Sequence, residues 1–313
     1  MPAVLLPALL LALPPLPLDA LPTAVRERVA AAYQRAEANS ASADGSGSVA
    51  MLLHAYDQLD VAEAWYRHAA QLDPAAFDWA YLLGVVQAER GRPEEASRSL
   101  RDAVSKRPRD VPVRLKLAEV LLARSDLDAS AALCEEILKE RPQTPQAHYG
   151  LGRIEATRGR PAAAVERFRR ATELFPGYGA AHYALGLAYR DLGRADEARA
   201  ALEAYEAHRM EAPPLDDPVL ARVRQLKTGA LARLAEGVRL GKAGDVEGSI
   251  REHEAALESD PSLAQAHANL ISLYGRLGRA DKAEEHYRAA IASAPAWPRP
   301  TTTTASGSSS SAG

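Results

Sequence analysis

The sequence predicts an all-α protein, an α-solenoid of helix-turn-helix units, and three observations carry that prediction. A small residue recurs every 34 places, at Ala50, Gly84, Ala118, Gly152 and Gly186, and the phase resumes at Gly237 and Ile271 after one interruption. Further columns keep the same register. A second small column runs Ala62, Ala96, Ser130, Ala164, Ala198, Ser249, Ala283, and a bulky one runs Tyr66, Leu100, Cys134, Phe168, Leu202, His253, Tyr287. A third small column begins with Ala69, Ala103 and Ile137, and units close on Pro74, Pro108, Pro142, Pro176, Pro261 and Pro295, with Met210 at that place in the fifth. Finally, no stretch alternates as a strand would, and a composition 47% hydrophobic but only 5% aromatic suits close-packed helices.

The elements follow in order. Residues 3 to 18 (AVLLPALLLALPPLPL) are wholly apolar but carry four prolines. A membrane-spanning helix needs about 20 unbroken apolar residues, so no integral membrane span is expected and a signal-peptide core fits better. That makes an exported protein the expectation, with a cytoplasmic one as the alternative, since no Lys or Arg precedes Arg26. A helix over 24 to 38, with Thr23 as N-cap, is placed to cover the first unit. Asn39 to Ser48 is small and polar and reads as a linker that truncates the first helix of unit one, because Gly45 and Gly47 fall where it should begin.

Residues 77 to 110 show the grammar of a unit. Ala80, Leu83, Gly84 and Gln87 share one stripe of the first helix, and Gly84 lets the second helix approach closely. Gly91 can end that helix in the left-handed conformation, Pro93 can open the next, and Pro108 stops it. One such hairpin cannot bury its apolar face alone; stacked neighbours bury it for one another and leave a concave wall lined by the first helices. Five units are expected over 43 to 210 and two over 230 to 295. Between them the spacing exceeds the period by 17 residues, and Asp217-Pro218 reads as the cap and start of one long helix from 218 to 242. The tail from 296 to 313 is low in complexity and cannot pack a core. The apolar side of the last unit is therefore expected to be open, to be covered by a partner, by a second copy through self-association or by a continuation of the chain.

These features, clearest in HYGLGRIEATRGRPAAAVERFRRATELFP (148 to 176) and HANLISLYGRLGRADKAEEHYRAAIASAP (267 to 295), resemble the tetratricopeptide repeat family over residues 43 to 295. His148, His182 and His267 stand where the family's units usually carry their first aromatic. The resemblance implies a right-handed solenoid whose concave groove binds extended peptides. Carried onto this chain, the groove holds Asp78, Tyr81, Lys116, Glu119, Tyr149, Arg153, Tyr183, Arg190, Asn269 and Arg276. Tyr81, Tyr149 and Tyr183 are equivalent positions suited to anchoring, and Lys116, Arg153 and Arg190 suit acidic groups. The Lys and Asn set with which some relatives clamp a terminal carboxylate is absent, and of the asparagine ladder used by others only Asn269 matches.

Other classes are disfavoured. A net charge of −3 argues against a nucleic-acid partner. The lone Cys134 sits in the bulky column and reads as a packed hydrophobe. His148, His182 and His267 share a column, but stacked helices lie about 9 to 10 Å apart, too far for one ion to be shared. No phosphate loop, HExxH or CxxC motif is present, so neither a cofactor nor a catalytic site is expected. The function expected is a non-enzymatic scaffold for a protein or peptide partner. The alternatives are the repeat portion of an enzyme such as a repeat-bearing glycosyltransferase, or an envelope assembly subunit.

Overall fold

The computed structural model describes residues 12–18, 21, 23–226, 229–261 and 263–293. Among them every regular element is an α-helix. The chain divides into two compact bodies, Met1–Lys227 and Thr228–Gly313. Most of the apolar leader and all of the tail beyond Ser293 lie outside the described residues.

The larger body holds α1 (Thr23–Ala38) and five helix pairs: α2 (Ala43–Ala55) with α3 (Leu59–Leu72), α4 (Phe77–Glu89) with α5 (Pro93–Lys106), α6 (Val111–Ala123) with α7 (Leu127–Glu140), α8 (Pro145–Thr157) with α9 (Pro161–Leu174), and α10 (Gly179–Asp191) with α11 (Ala195–Ala207). A short helix, α12 (Pro218–Leu226), follows. The smaller body holds α13 (Ala230–Lys242) with α14 (Val246–Ser259), and α15 (Ala264–Arg276) with α16 (Ala280–Ser293).

The columns explain the pairing. A methyl group at Gly84 would lie 2.6 Å from Leu100 Cγ, one at Gly237 2.6 Å from His253 Cε1, and one at Gly186 2.9 Å from Leu202 Cδ2. At Gly152 it would enter the ring of Phe168. In these four units the glycine of the first helix is thus the seat of the bulky residue of its own second helix. In units three and six the second small residue is serine. The buried hydroxyls of Ser130 and Ser249 donate to the carbonyls of Ala118 and Gly237, each at 2.7 Å, tying the two helices of the unit together. Burial then crosses from unit to unit: Phe168 packs with Leu185 and Ala188 of α10, and Cys134 with Leu151 and Ile154 of α8. This mutual burial of neighbouring pairs is what a solenoid depends on.

The turn inside each unit needs one left-handed residue. Gly91 and Gly159 supply it at φ 70°, and the same place is filled in units one and three by Asp57 at φ 61° and Ser125 at φ 62°. The backbone geometry is kept even where the glycine is not.

Two expectations are corrected. The first helix of unit one is not truncated: α2 spans 13 residues, like α4 and α6. The Ser42 side chain accepts from the Gly45 amide and starts the helix, and Gly47 is a packing residue whose missing side chain makes room for the Trp79 ring. The linker shrinks to 39–42. The single helix expected over 218 to 242 is two, because Gly229 adopts φ 75°, ψ −159°, a conformation open in practice to glycine alone, and a new helix starts at Ala230. As expected, α1 packs on α2; its Val29, Ala32 and Ala36 are buried, and Tyr33 meets Trp65 edge to face at 5.8 Å.

Two glycines in helices of equal length should therefore respond oppositely to alanine. Gly152→Ala should cost about 1–3 kcal/mol by overpacking against Phe168, whereas Gly275→Ala, with nothing within 4 Å, should gain about 0.5 kcal/mol from helix propensity. Urea unfolding of each variant against the unaltered chain measures both.

Candidate functional site

Successive first helices α4, α6, α8 and α10 lie side by side in the larger body, and their polar residues form the wall from which a site can be built. A hollow of about 390 Å³ opens on that wall. Tyr81 of α4, Lys116 and Glu119 of α6, and Tyr149 and Arg153 of α8 all line it. A second hollow of about 510 Å³ follows, lined by Tyr183 of α10 and again by Tyr149 and Arg153, which form the ridge between the two.

The ridge is well supported. The Tyr149 ring lies 5.0 Å from Tyr178 and 5.8 Å from Phe168, and Arg153 places its guanidinium 5.8 Å over it. Burial pushes the phenols of Tyr149 and Tyr178 above their ordinary value, so both stay neutral. Arg153 has no ion pair among the described residues, whereas the Lys116 ammonium donates to Glu119 at 3.0 Å. Tyr183 is 46% exposed, with its ring 5.1 Å from Tyr205.

The other candidates are placed differently. Tyr81 is only 2% exposed, and its hydroxyl donates to Asp217 Oδ2 at 2.6 Å, so it is held by the chain itself rather than presented as an anchor. The expectation missed this because the partner lies 136 residues away. Asp78 pairs with Arg222 of α12. Arg190 is exposed, lines neither hollow, and has Asp191 at 4.0 Å. Asn269 belongs to the smaller body, where it accepts from Gln265 at 3.0 Å and donates to His253 Nε2 at 3.3 Å. Arg276 is also there, exposed at the end of α15. Sequence reasoning did not select Tyr178, Gln146, Leu215 or Leu220, all of which line the first hollow.

The histidine column has a structural use. His148, His182 and His267 each donate from Nε2 to the carbonyl of the closing proline six residues back: Pro142 at 3.1 Å, Pro176 at 2.7 Å and Pro261 at 3.1 Å. No cluster of three His, Cys, Asp or Glu suited to a metal occurs among the described residues. Cys134 faces the first hollow, but burial raises its thiol to about 11, so it is not a nucleophile at neutral pH. No helix among the described residues is long and apolar enough to cross a membrane.

The family model for the tetratricopeptide repeat matches residues 81–148, 115–178, 149–213 and 234–298, together more than half of the chain. The chain belongs to the tetratricopeptide repeat family. Among curated proteins it is similar to the cellulose synthase operon protein C of Xanthomonas axonopodis pv. citri, 29% identical over 176 residues that make up 54% of this chain and 11% of that much longer protein. Among solved structures it is similar to YrrB, described as a repeat protein of this family with an unusual peptide-binding site (21% identical, covering 62% of this chain and 98% of that one, TM-score 0.47). It is also similar to MamA from Desulfovibrio magneticus RS-1 (16% identical, 53% and 94%, TM-score 0.49).

Two outcomes are expected. Tyr81→Phe leaves one oxygen of the buried Asp217 carboxylate without its donor and should lower stability by about 1–3 kcal/mol in urea unfolding. Burial also holds His148, His253 and His286 below the ordinary value of 6.5, so the unfolded chain takes up protons that the folded chain refuses. Stability should be full above about pH 6.5 and fall as the pH drops through the folded values. The urea midpoint should be lower at about pH 5.5 than at 7.5, and His253→Gln should reduce the difference.

Proposed function

We propose that this protein is a scaffold that binds a segment of a partner protein on the first-helix wall of its larger body, with Tyr149, Arg153 and Tyr183 as the principal contacts. The observation that carries this reading is the shared ridge. Two adjacent hollows are separated by one aromatic ring and one arginine that has no ion pair of its own. An extended peptide crossing the ridge can place an apolar side chain in each hollow and an acidic group on Arg153, a division of labour common at interaction surfaces. Lys116 adds a second cation once its exposed partner Glu119 is exchanged for a carboxylate of the ligand.

The likeness to a cellulose synthase operon protein favours a second reading, in which the scaffold serves a polysaccharide-synthesising assembly. Recovery of a glycosyltransferase subunit among the partners would single it out.

Affinity capture with the purified chain, followed by mass spectrometry, tests the assignment. The variant carrying Tyr149→Ala, Arg153→Ala and Tyr183→Ala should lose its partners by about tenfold or more, whereas Arg190→Ala and Asn269→Ala should retain them. A folded triple variant that keeps every partner would overturn it.

A further inference from the structure

The insertion between the fifth and sixth units breaks the period, and the structure shows where the extra chain goes. Residues 211 to 217 run without regular structure over the wall of first helices, and α12 then packs on α2 and α4. The contacts are those of a ligand. Gln146 Nε2 donates to the main-chain carbonyls of Pro213 and Pro214, each at 3.2 Å. Asp217 uses both carboxylate oxygens: Oδ1 accepts from the Leu220 amide at 2.9 Å and caps α12, and Oδ2 accepts from Tyr81. Val219 and Val223, one helical turn apart, are the buried residues of α12. Arg222 pairs with Asp78, and Arg28 of α1 donates to the Leu226 carbonyl at 2.9 Å, closing the far end.

An extended stretch read through its carbonyls, one acidic anchor and a pair of apolar side chains on a short helix together make a recurring mode of peptide recognition. Here the peptide is part of the receptor. Its extended part crosses Gln146 on the first helix of unit four, and α12 lies on the first helices of units one and two, where a partner would otherwise meet Asp78 and Tyr81. It also supplies Leu215 and Leu220 as one side of the hollow next to the ridge. At nine residues, α12 is too short to be a stable helix away from the wall. Its helicity and its docking are therefore one event.

We propose that residues 211–226 are a built-in occupant of the groove, and that the surface beneath them is a second binding site for a partner segment of the same chemistry. That segment carries an aspartate capping a short helix, with apolar residues two and six positions after it, and an extended proline-rich stretch before it. This rests on the reading of the first-helix wall as a peptide-binding surface. Because the occupant is tethered, it competes at an effective concentration that a free peptide reaches only in the millimolar range. The intact chain is therefore closed at units one and two and at Gln146 of unit four, while Tyr149 and Arg153 on the ridge stay partly exposed.

The probe is a fluorescent synthetic peptide of residues 211–226. Binding is measured by anisotropy to the full chain and to a full-length variant carrying Val219→Asp and Val223→Asp, which releases the tethered segment. The released variant should bind the peptide at least about tenfold more tightly than the intact chain, and a peptide carrying Asp217→Asn should lose about fivefold or more of that affinity. Equal binding by the two chains, or no binding by a folded released variant, overturns the proposal. Hydrogen exchange on the unaltered chain decides the matter should the released variant fail to fold. Amides of 221–226 should exchange at least about tenfold faster than those of α4, through local undocking, and protection equal to that of α4 overturns the proposal. Failure of the peptide assay with partner capture through Tyr149 and Arg153 intact removes the built-in occupant alone. Loss of both removes the groove reading itself.

Discussion

The fit of a bulky side chain over a glycine, repeated in four of the helix pairs, is the constraint on which the rest of this molecule depends. Leu100 over Gly84, Phe168 over Gly152, Leu202 over Gly186 and His253 over Gly237 are four versions of one contact. It sets how closely the two helices approach, and so how far each bulky group reaches beyond its own unit. Phe168 touches α10, and Cys134 touches α8, with only a small residue, Gly152 or Ala118, on the first helix beneath them. Interiors packed to crystal density tolerate little change in such a contact. The period of the sequence is the period of this contact, and the polar and turn residues are arranged around it.

The functional surface is a consequence. Once second helices take one side of the stack, first helices are left to form the other, and their outward residues become neighbours across units. Tyr149 and Arg153 are then flanked by Lys116 and Glu119 on one side and Tyr183 on the other, although these residues are far apart in the chain. The insertion exploits the same wall. It departs from the repeat, crosses the first helix of unit four, where Gln146 meets its carbonyls, and returns over units one and two, where Tyr81 and Asp78 take up its polar groups. The contacts proposed for the ridge and the docked insertion beside it share one surface.

Much of this was legible because the repeat multiplies weak signals. A lone Gly84 says little, but a small residue at the same phase in unit after unit fixes helix pairing, turn position and the order of helices along the wall. The reading failed where an outcome was set by a partner distant in sequence. Gly45 and Gly47 look like linker until Trp79 is known to cover Gly47. Tyr81 looks like the twin of Tyr149 and Tyr183 until Asp217 arrives from the insertion to bind it. Asp217-Pro218 signals a helix start, yet nothing local says which wall that helix will meet. Gly229 was a local signal that could have been weighed, since glycine readily leaves helical geometry. The histidine column held an unread clue: a proline carbonyl stands six residues before each of the three.

The most direct measurement of the central claim is a double-mutant cycle between the two columns of one unit, combining Gly152→Ala with Phe168→Leu and reading stability by urea unfolding. If the bulky side chain rests on the bare first helix as described, trimming the ring makes room for the added methyl, and the double variant should be more stable than the two single costs imply by about 1 kcal/mol. Costs that simply add would show that the two positions do not touch, and the interlock would lose its place as the basis of the stack.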